Sequence, residues 1–306
     1  MRVSVIDVGT NSVRVFIADG EPLREVERDL VITRLGEGVD RAGRLGDVPL
    51  ARTVDAIGRY ADRARDAGAE RLRIIATSAV RDAANRDAFV EVVRERTGEK
   101  PVILSGDEEA QLGFAGATID LDAPAPFAVL DIGGGSTELV RGVERAERFI
   151  SLDIGSVRLT ERHITHDPPT GAELDAVRAD ADGHLGRAAE VIGAGTRTLV
   201  GLAGTITTAA AIVVGLQRYE RARIHHARLS RRDVADTLSR LAAMTSPQRR
   251  ELPVMPPGRE DVIVAGLVIL ERVMDRLGHA EVLVSETDIL DGTALALLRE
   301  KGTRAR

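Results

Sequence analysis

The residues best suited to chemistry lie in one octapeptide, Asp131 to Glu138, in which three consecutive glycines stand between two carboxylates. Glycine lacks a Cβ atom, so the backbone N–H groups of such a run can close on an anion. The carboxylates can hold a magnesium ion that bridges phosphates, and Ser136 and Thr137 add hydroxyls. Because an apolar segment precedes the octapeptide and an extended one follows it, the sequence predicts a phosphate-binding turn between two strands. This excludes the strand-to-helix phosphate loop and the Rossmann turn.

A second copy of this pattern lies upstream, where Asp7 and Ser12 have the same spacing as Asp131 and Ser136. The distance between the copies is far too long for a solenoid repeat. The duplication therefore predicts two related domains, each presenting a phosphate-binding hairpin to a shared cleft. Two unrelated tight turns are the alternative, and the matched placement of Asp and Ser weighs against it. The residues predicted to bind phosphate in the two hairpins are Asp7, Gly9, Thr10, Asn11, Ser12, Gly133, Gly134, Gly135, Ser136 and Thr137.

Two adjacent glutamates open a predicted helix. Ser105 and Glu108 have the spacing of a capping box, in which the glutamate reaches back to the serine amide. Glu109 lies about 100° further around the helix and can face elsewhere. Hydrolysis of a phosphate needs a carboxylate that orients and deprotonates water at a distance of about 3 Å, so Glu109 is the candidate base. Ordinary compensation of the helix macrodipole is the alternative.

Two further segments could bind anions. Arg81, between a predicted strand and a predicted helix, could clamp a phosphate through its planar guanidinium group, although an ordinary exposed Arg would look the same. Gly204 and Thr205 lie in a turn of small residues before a helix. The first amides of that helix could hold an anion. A close contact between strand and helix is the alternative.

The remaining His and Arg residues give weaker patterns. The six histidines show no metal-ligand spacing, and adjacent His225 and His226 would point apart on a helix, so they are given no role. One local basic cluster predicts a solvated helical face, with a landing site for a polyanion as the alternative. The cluster consists of Arg218, Arg221, Arg223, Arg228, Arg231 and Arg232.

Composition narrows the function classes. A chain of 306 residues is longer than one hydrophobic core usually supports, so two domains are expected. Only 2% of the residues are aromatic and none is Trp, which weighs against single-stranded nucleic acid as a ligand. A net charge of −6 provides no basic field for nucleic acid or membrane. The absence of Cys excludes thiol chemistry, and no apolar run approaches the ~18 residues of a membrane span. A cytoplasmic protein is expected.

Hydrophobic periodicity predicts an α/β fold with mixed sheets, in which each half has the order strand-strand-strand-helix-strand-helix. Residues 120–126 form the expected boundary, because Pro124 and Pro126 forbid regular structure between a helix and a strand. The predicted domains are therefore residues 1–122 and 123–289.

Together, five segments resemble the exopolyphosphatase / guanosine pentaphosphate phosphohydrolase (Ppx/GppA) family. They are residues 7–14, 76–81, 105–110, 131–139 and 201–208. The resemblance implies a two-domain, actin-like (ribonuclease H-like) fold of the sugar kinase and Hsp70 superfamily. It also implies an interdomain cleft and a final helix, about residues 290–306, that packs back on the first domain. Near this helix, Asp291-Gly292 stands where many relatives have Arg-Glu-Gly, so the contribution of that loop is open.

The resemblance also implies roles for individual residues. Glu109 corresponds to the catalytic base and Arg81 to the phosphate-binding Arg. Asp131 and Glu138 correspond to the carboxylates around the metal, which is expected to be Mg²⁺ or Mn²⁺. Asn11 and Ser136 correspond to groups in the phosphate loops.

The leading expectation is magnesium-dependent hydrolysis of the terminal phosphate of inorganic polyphosphate. Longer relatives add helical C-terminal domains beyond the point where this chain stops, so short polyphosphate chains are the expected substrates. Hydrolysis of guanosine pentaphosphate to the tetraphosphate is the alternative, although few aromatic residues are available to stack on a base. A non-hydrolytic polyphosphate or alarmone sensor and a small-molecule kinase are alternatives of other classes. A homodimer is a further expectation.

Overall fold

Two units make up the computed structural model, which describes residues 1–300. The first contains residues 1–116 and the described residues from Ile289 onward, and the second contains residues 117–288. The sequence-based boundary after residue 122 lies a few residues further along the chain than the division between these units. The functional domains, residues 1–122 and 123–289, stay a prediction. The part of the predicted final helix beyond residue 300 lies outside the described residues.

The first unit has a five-stranded sheet in the order β3-β2-β1-β4-β5. Its strands are β1 (Arg2–Val8), β2 (Ser12–Asp19), β3 (Arg24–Ile32), β4 (Arg71–Ala76) and β5 (Val102–Ile103). Its helices are α1 (Val39–Ala42), α2 (Asp47–Asp66), α3 (Ser78–Arg81), α4 (Arg86–Thr97), α5 (Gly106–Ala117) and α13 (Ile289–Arg299). The last residue of α5 belongs to the second unit.

The central strand β1 is buried on both faces, as its nearly continuous apolar sequence requires. Ile6 and Val8 pack into a core that includes residues of α2 and α4. Val3 and Val5, which point to the opposite face, pack with residues of α13. The strand therefore leads from a doubly covered core to the turn at residues 9–12.

The second unit has a six-stranded sheet in the order β10-β11-β9-β6-β7-β8. Its strands are β6 (Phe127–Ile132), β7 (Thr137–Gly142), β8 (Ala146–Leu152), β9 (Thr198–Leu202), β10 (Arg228–Ser230) and β11 (Glu281–Val284). Its helices are α6 (Ser156–His163), α7 (Gly171–Ile192), α8 (Ala203–Val213), α9 (Arg221–Ile224), α10 (Arg231–Ala242), α11 (Ser246–Arg250) and α12 (Ile263–Leu277).

The two sheets share one topology. In the first, β1 is antiparallel to β2 and parallel to β4, β2 is antiparallel to β3, and β4 is parallel to β5. In the second, β6, β7, β8, β9 and β11 repeat these relations, and β10 adds an antiparallel edge. The predicted α/β fold with mixed sheets is therefore confirmed, and each predicted hairpin occupies the same place in its own sheet.

The helices α5 and α13 of the first unit meet backbone to backbone. A Cβ atom on Gly292 would lie 2.0 Å from the carbonyl oxygen of Leu112, so only glycine allows this approach. The neighbouring Asp291 is buried and accepts a hydrogen bond from Arg28 Nη2 at 2.6 Å. The Asp291-Gly292 pair is therefore part of the packing of α13 on the first unit.

No helix within residues 1–300 combines the length and the apolar character needed to span a bilayer.

Candidate active site

Both predicted phosphate-binding turns have the same hydrogen bond at their base. In the N-terminal turn, residues 9–12, the Gly9 amide donates to the Ser12 carbonyl at 2.9 Å. In the glycine turn, residues 133–136, the Gly133 amide donates to the Ser136 carbonyl at 3.0 Å. Each turn connects the central strand of its sheet to the next antiparallel strand. The repeat seen in the sequence is thus a repeat in backbone structure.

The carbonyl groups of the N-terminal turn are held by the segment that follows β3. The Gly36 amide donates to the Thr10 carbonyl at 2.8 Å, and the Thr33 and Arg34 amides donate to the Asn11 carbonyl at 3.0 and 2.9 Å. A Cβ atom on Gly36 would lie 2.2 Å from Cγ2 of Thr10, so the segment runs directly against the turn.

The carbonyl groups of the glycine turn are held by the start of α6. The Ser156 amide donates to the Gly133 carbonyl, and the Val157 and Arg158 amides donate to the Gly134 carbonyl, at 2.9 to 3.0 Å. Arg158 Nε also donates to the Gly135 carbonyl at 2.7 Å. The first amides of α6, which could otherwise attract an anion, are therefore occupied by the turn itself.

Gly155 makes this contact possible. A Cβ atom there would lie 2.3 Å from the Gly134 carbonyl oxygen and 2.7 Å from the Gly135 carbonyl carbon, both of them backbone atoms. Its φ of −155° is ordinary extended backbone, so the requirement for glycine comes from the contact alone. Sequence reasoning missed Gly155, because nothing in the local pattern shows what the chain packs against.

With their carbonyls held, the turns leave a row of amides. No backbone oxygen in residues 1–300 accepts a hydrogen bond from the N–H groups of the five loop residues Thr10, Asn11, Gly134, Gly135 and Ser136. Consecutive backbone N–H groups of this kind form an anion-binding concavity. Each turn can therefore bind a phosphate oxygen through its backbone.

Several predicted side chains have other contacts. The Thr137 hydroxyl donates to the Ile154 carbonyl at 2.7 Å, so its proton is already used within the sheet. The Thr10 and Ser78 hydroxyl oxygens lie 2.9 Å apart, which links the N-terminal turn to α3. These contacts place Thr137 and Thr10 in the support of the turns, while their direct contact with phosphate stays a prediction.

The predicted base and the predicted phosphate-binding Arg lie together in the first unit. Arg81 Nη1 donates to Glu109 Oε2 at 2.8 Å and to the Leu104 carbonyl at 3.1 Å. Both side chains are largely buried, with 23% and 14% of their surfaces exposed for Arg81 and Glu109. The guanidinium group therefore orients the carboxylate of Glu109.

The predicted capping box is confirmed. Glu108 Oε2 accepts hydrogen bonds from the Ser105 amide at 2.9 Å and the Ser105 hydroxyl at 2.8 Å, and the Glu108 amide donates to the hydroxyl at 3.2 Å. The bond from the Ser105 amide, followed by that from its hydroxyl, holds the pKa of Glu108 below its usual value. Glu108 is thus bound at the start of α5, while Glu109 turns towards Arg81.

The pair of opposed residues next to each turn differs in charge between the two units. In the first, Asp7 lies opposite Arg14, and Arg14 Nε and Nη2 donate to Asp7 Oδ2 at 2.9 and 2.6 Å. In the second, the corresponding pair is Asp131 and Glu138. The first unit thus pairs a carboxylate with a guanidinium group at this place, and the second unit opposes two carboxylates.

The pair in the second unit fits a divalent metal ion. Directly opposed residues place their Cβ atoms about 4.5–5.5 Å apart on one face of the sheet. Ser151 Oγ donates to Glu138 Oε1 at 2.7 Å and so orients this carboxylate. Oxygen ligands from two carboxylates suit hard cations such as Mg²⁺, and a cation relieves the repulsion between opposed like charges.

The third predicted segment lies at the start of α8. Ala203 has a φ of +65°, and a Cβ atom on Gly204 would lie 2.1 Å from Cζ of Arg259. Arg259 was missed by sequence reasoning, since nothing distinguishes it within an Arg-rich chain. The Thr205 side chain packs under α12, where a Cβ atom on Gly266 would lie 2.4 Å from Thr205 Oγ1. The start of α8 therefore lies beside the guanidinium group of Arg259, which donates from Nη1 to Thr208 Oγ1 at 3.2 Å.

The basic cluster does not form a helical face. Its members are spread over the chain before α9, α9 itself, β10 and α10. Five of them have carboxylate partners within the second unit, in the pairs Arg218–Glu220, Arg221–Glu286, Arg228–Glu281, Arg231–Asp275 and Arg232–Asp236. This pairing leaves little net positive charge for a polyanion.

Comparison with known proteins gives consistent matches along the chain. The profile of the Ppx/GppA phosphatase family matches residues 15–300. Exopolyphosphatase 2 of Mycobacterium tuberculosis is 43% identical, over 97% of this chain and 98% of that protein. A bifunctional 3-dehydroquinate synthase/phosphatase of Fusobacterium nucleatum is 34% identical over 97% of this chain, which covers 46% of that protein.

Solved structures agree with the fold. The crystal structure of an exopolyphosphatase-like protein has a TM-score of 0.93 and 39% identity, covering 98% of this chain and 99% of that one. The Aquifex aeolicus member of the Ppx/GppA family has a TM-score of 0.83 and 28% identity, covering 99% of both chains. These matches and the strand order shared by the two sheets confirm the predicted fold class, an α/β fold of two units with mixed sheets. The chain belongs to the Ppx/GppA phosphatase family.

Proposed function

We propose that this protein is an exopolyphosphatase, which hydrolyses the terminal phosphoanhydride bond of inorganic polyphosphate and releases orthophosphate. The observation that carries the proposal is the pair of turns whose carbonyl groups accept hydrogen bonds from neighbouring segments, while five backbone amides of the turns have no backbone acceptor. A substrate made only of linked phosphates needs such repeated anion sites and no base pocket. The names of the relatives from Mycobacterium tuberculosis support the same substrate.

The contacts of these residues support the roles that we propose for them. Glu109 accepts a proton from water as the water oxygen attacks the terminal phosphorus. The bond from phosphorus to the bridging oxygen breaks, and the shortened polyphosphate leaves with the electron pair. The planar guanidinium group of Arg81, which donates to Glu109, binds the phosphoryl oxygens. The backbone amides of each turn bind phosphate oxygens.

Asp131 and Glu138 hold the metal ion, for which we propose Mg²⁺, with Mn²⁺ as a substitute. When bound, the ion offsets negative charge on the phosphate oxygens. The Asp7–Arg14 pair supplies an internal cation at the corresponding place in the first unit, so one metal site per chain is expected.

Glu138→Gln is expected to weaken binding of Mn²⁺ by at least about 10- to 100-fold, because one of two opposed carboxylates loses its charge. Titration of the full chain with Mn²⁺, followed by electron paramagnetic resonance of the free ion, measures this without an activity assay. Glu144→Gln, at an exposed position after β7, is the matched control and keeps the affinity of the parent protein. Equal affinities in all three proteins would contradict the metal assignment.

The test of the function is orthophosphate release from short polyphosphate, long polyphosphate and guanosine pentaphosphate under identical magnesium. Release from polyphosphate, and faster release from the short chain, is expected. Release from guanosine pentaphosphate alone would favour the nucleotide phosphohydrolase instead. Tight binding of polyphosphate without release of orthophosphate would favour a sensor. The cytoplasmic location and the homodimer stay predictions.

A further inference from the structure

A cluster of three potential metal ligands lies in the second unit, outside the residues assigned above. Asp120 Oδ2 lies 3.0 Å from His225 Nε2, and Asp120 Oδ1 lies 3.6 Å from His226 Nε2. The centroids of the two imidazole rings lie 3.8 Å apart, and their planes are tilted by 31°. The expectation that these rings point apart on a helix is wrong, because α9 ends at Ile224 and His226 has a φ of +63°.

The hydrogen bonds of His225 decide between a metal site and another role. The Glu286 amide donates to His225 Nδ1 at 3.1 Å, so Nδ1 presents its lone pair. The neutral ring must then carry its proton on Nε2, which donates to Asp120. A nitrogen that carries a proton cannot ligate a metal. His225 is therefore a bridge with two hydrogen bonds rather than a ligand.

The two ends of this bridge lie near the two points where the chain passes between the units, at residues 116/117 and 288/289. Asp120 follows α5, the helix that carries Glu109. Glu286 precedes α13. Within the first unit these same helices meet at Gly292, whose backbone lies against the carbonyl of Leu112. His225 thus connects the segment that follows α5 to the segment that precedes α13.

The Glu286 end of the bridge is firmly held. Arg221 Nε donates to Glu286 Oε2 at 3.1 Å, and Arg221 Nη2 donates to the Glu286 carbonyl at 2.8 Å. The Tyr219 hydroxyl donates to the same carboxylate, whose side chain is only 9% exposed. These hydrogen bonds hold Glu286 in place, so the bond from its amide joins His225 to a well-supported segment.

We propose that His225 is a positioning residue: it ties the segment after α5 to the segment before α13 and so fixes the helix that carries Glu109. The proposal rests on the proposed function only through the role of Glu109. Within residues 1–300, the hydrogen bonds and the ring contact of His225 involve Asp120, Glu286 and His226, and none of these belongs to either turn.

The test is hydrogen–deuterium exchange of the full chain, read in peptides that cover residues 112–120 and 286–292. His225→Ala is expected to raise exchange about 5-fold in each peptide, because opening of each segment no longer breaks its one hydrogen bond to the imidazole ring. His226→Ala is the matched control, since its Nε2 lies 3.6 Å from Asp120, and is expected to leave both peptides unchanged.

Kinetics and a rescue variant add readouts that a loss of stability alone would not give. His225→Ala is expected to lower kcat about 10-fold with KM unchanged, because a shift of the base affects the reaction more than binding. Asp120→Asn keeps an oxygen acceptor for His225 Nε2 and is expected to behave as the parent, whereas Asp120→Ala is expected to behave as His225→Ala.

Equal exchange in His225→Ala and His226→Ala, or a rise spread over the whole chain, would overturn the proposal. Stoichiometric Zn²⁺ binding that is lost in His225→Ala would also overturn it, in favour of a metal site. If the parent protein releases no orthophosphate but the exchange pattern is as expected, the proposed function fails while the bridge between the two segments stands.

Discussion

Glu109→Gln is expected to lower kcat for orthophosphate release by about 10²- to 10⁴-fold, with KM within a few-fold of the parent value. Glutamine has nearly the same shape, and its carbonyl oxygen can still accept the hydrogen bond that Arg81 donates at 2.8 Å. It cannot accept a proton from water. The change therefore removes the proposed base while leaving the surroundings of α5 in place.

Glu108→Gln is the matched control, one residue away on the same helix. Glutamine is the other residue that completes a capping box, so the bond from the Ser105 amide is retained and full activity is expected. The pKa of Glu108 lies below its usual 4.5 in the folded protein, so its charge stabilises the fold above that pH and this contribution is lost as the pH falls. The difference in unfolding free energy between parent and Glu108→Gln should therefore shrink in acid.

A stopped-time phosphate assay at saturating polyphosphate measures both variants. If Glu109→Gln and Glu108→Gln have equal kcat, the base must be sought elsewhere. If both lose activity together with cooperative thermal unfolding, the start of α5 has been disrupted and Glu109→Asp becomes the variant that separates chemistry from folding.

Gly155→Ala is expected to lower kcat/KM by about 10²-fold, although the residue touches no phosphate in the proposed mechanism. Its new methyl group would lie 2.3 Å from the Gly134 carbonyl oxygen, and neither atom belongs to a side chain that can rotate away. The glycine turn must then move off the start of α6, which displaces the amides of Gly134 and Gly135. Overpacking of this kind also costs about 1–3 kcal/mol of stability.

Gly186→Ala separates these effects from the general consequences of replacing glycine. Gly186 lies in the interior of α7, and a Cβ atom there meets nothing within 4 Å. Alanine at a helical position stabilises by about 0.4–1 kcal/mol, so unchanged kinetics and a raised Tm are expected. Parent-like kcat/KM in Gly155→Ala, measured on folded protein, would show that the glycine turn does not bind the substrate.

The sequence predicts those parts of the site that depend on residues close together along the chain. Both turns and the Ser105–Glu108 capping box are short local patterns, and the central strands are recognisable because burial on both faces demands continuous apolar residues. The segments that hold the turns, residues 33–36 and 155–158, could not be predicted. Their hydrogen bonds join positions that are separate in the sequence and require no particular side chain, so only the folded structure reveals them.

The error at His225 and His226 has a similar origin. Adjacent side chains point about 100° apart around a helix, and this holds only while the helix continues. The chain instead leaves α9 one residue earlier, and the positive φ of His226 brings the rings together. A single change of backbone direction, which the side-chain types did not signal, created the cluster.

The way in which the turns are held also bears on how such enzymes diverge. Because the supporting segments bond to the carbonyl groups of the turns, substitutions there can shift the turn amides without altering any group that we propose to bind phosphate. Selection for polyphosphate of a different length can therefore act on residues 33–36 and 155–158. Directed evolution of this scaffold should randomise these residues before the turns themselves.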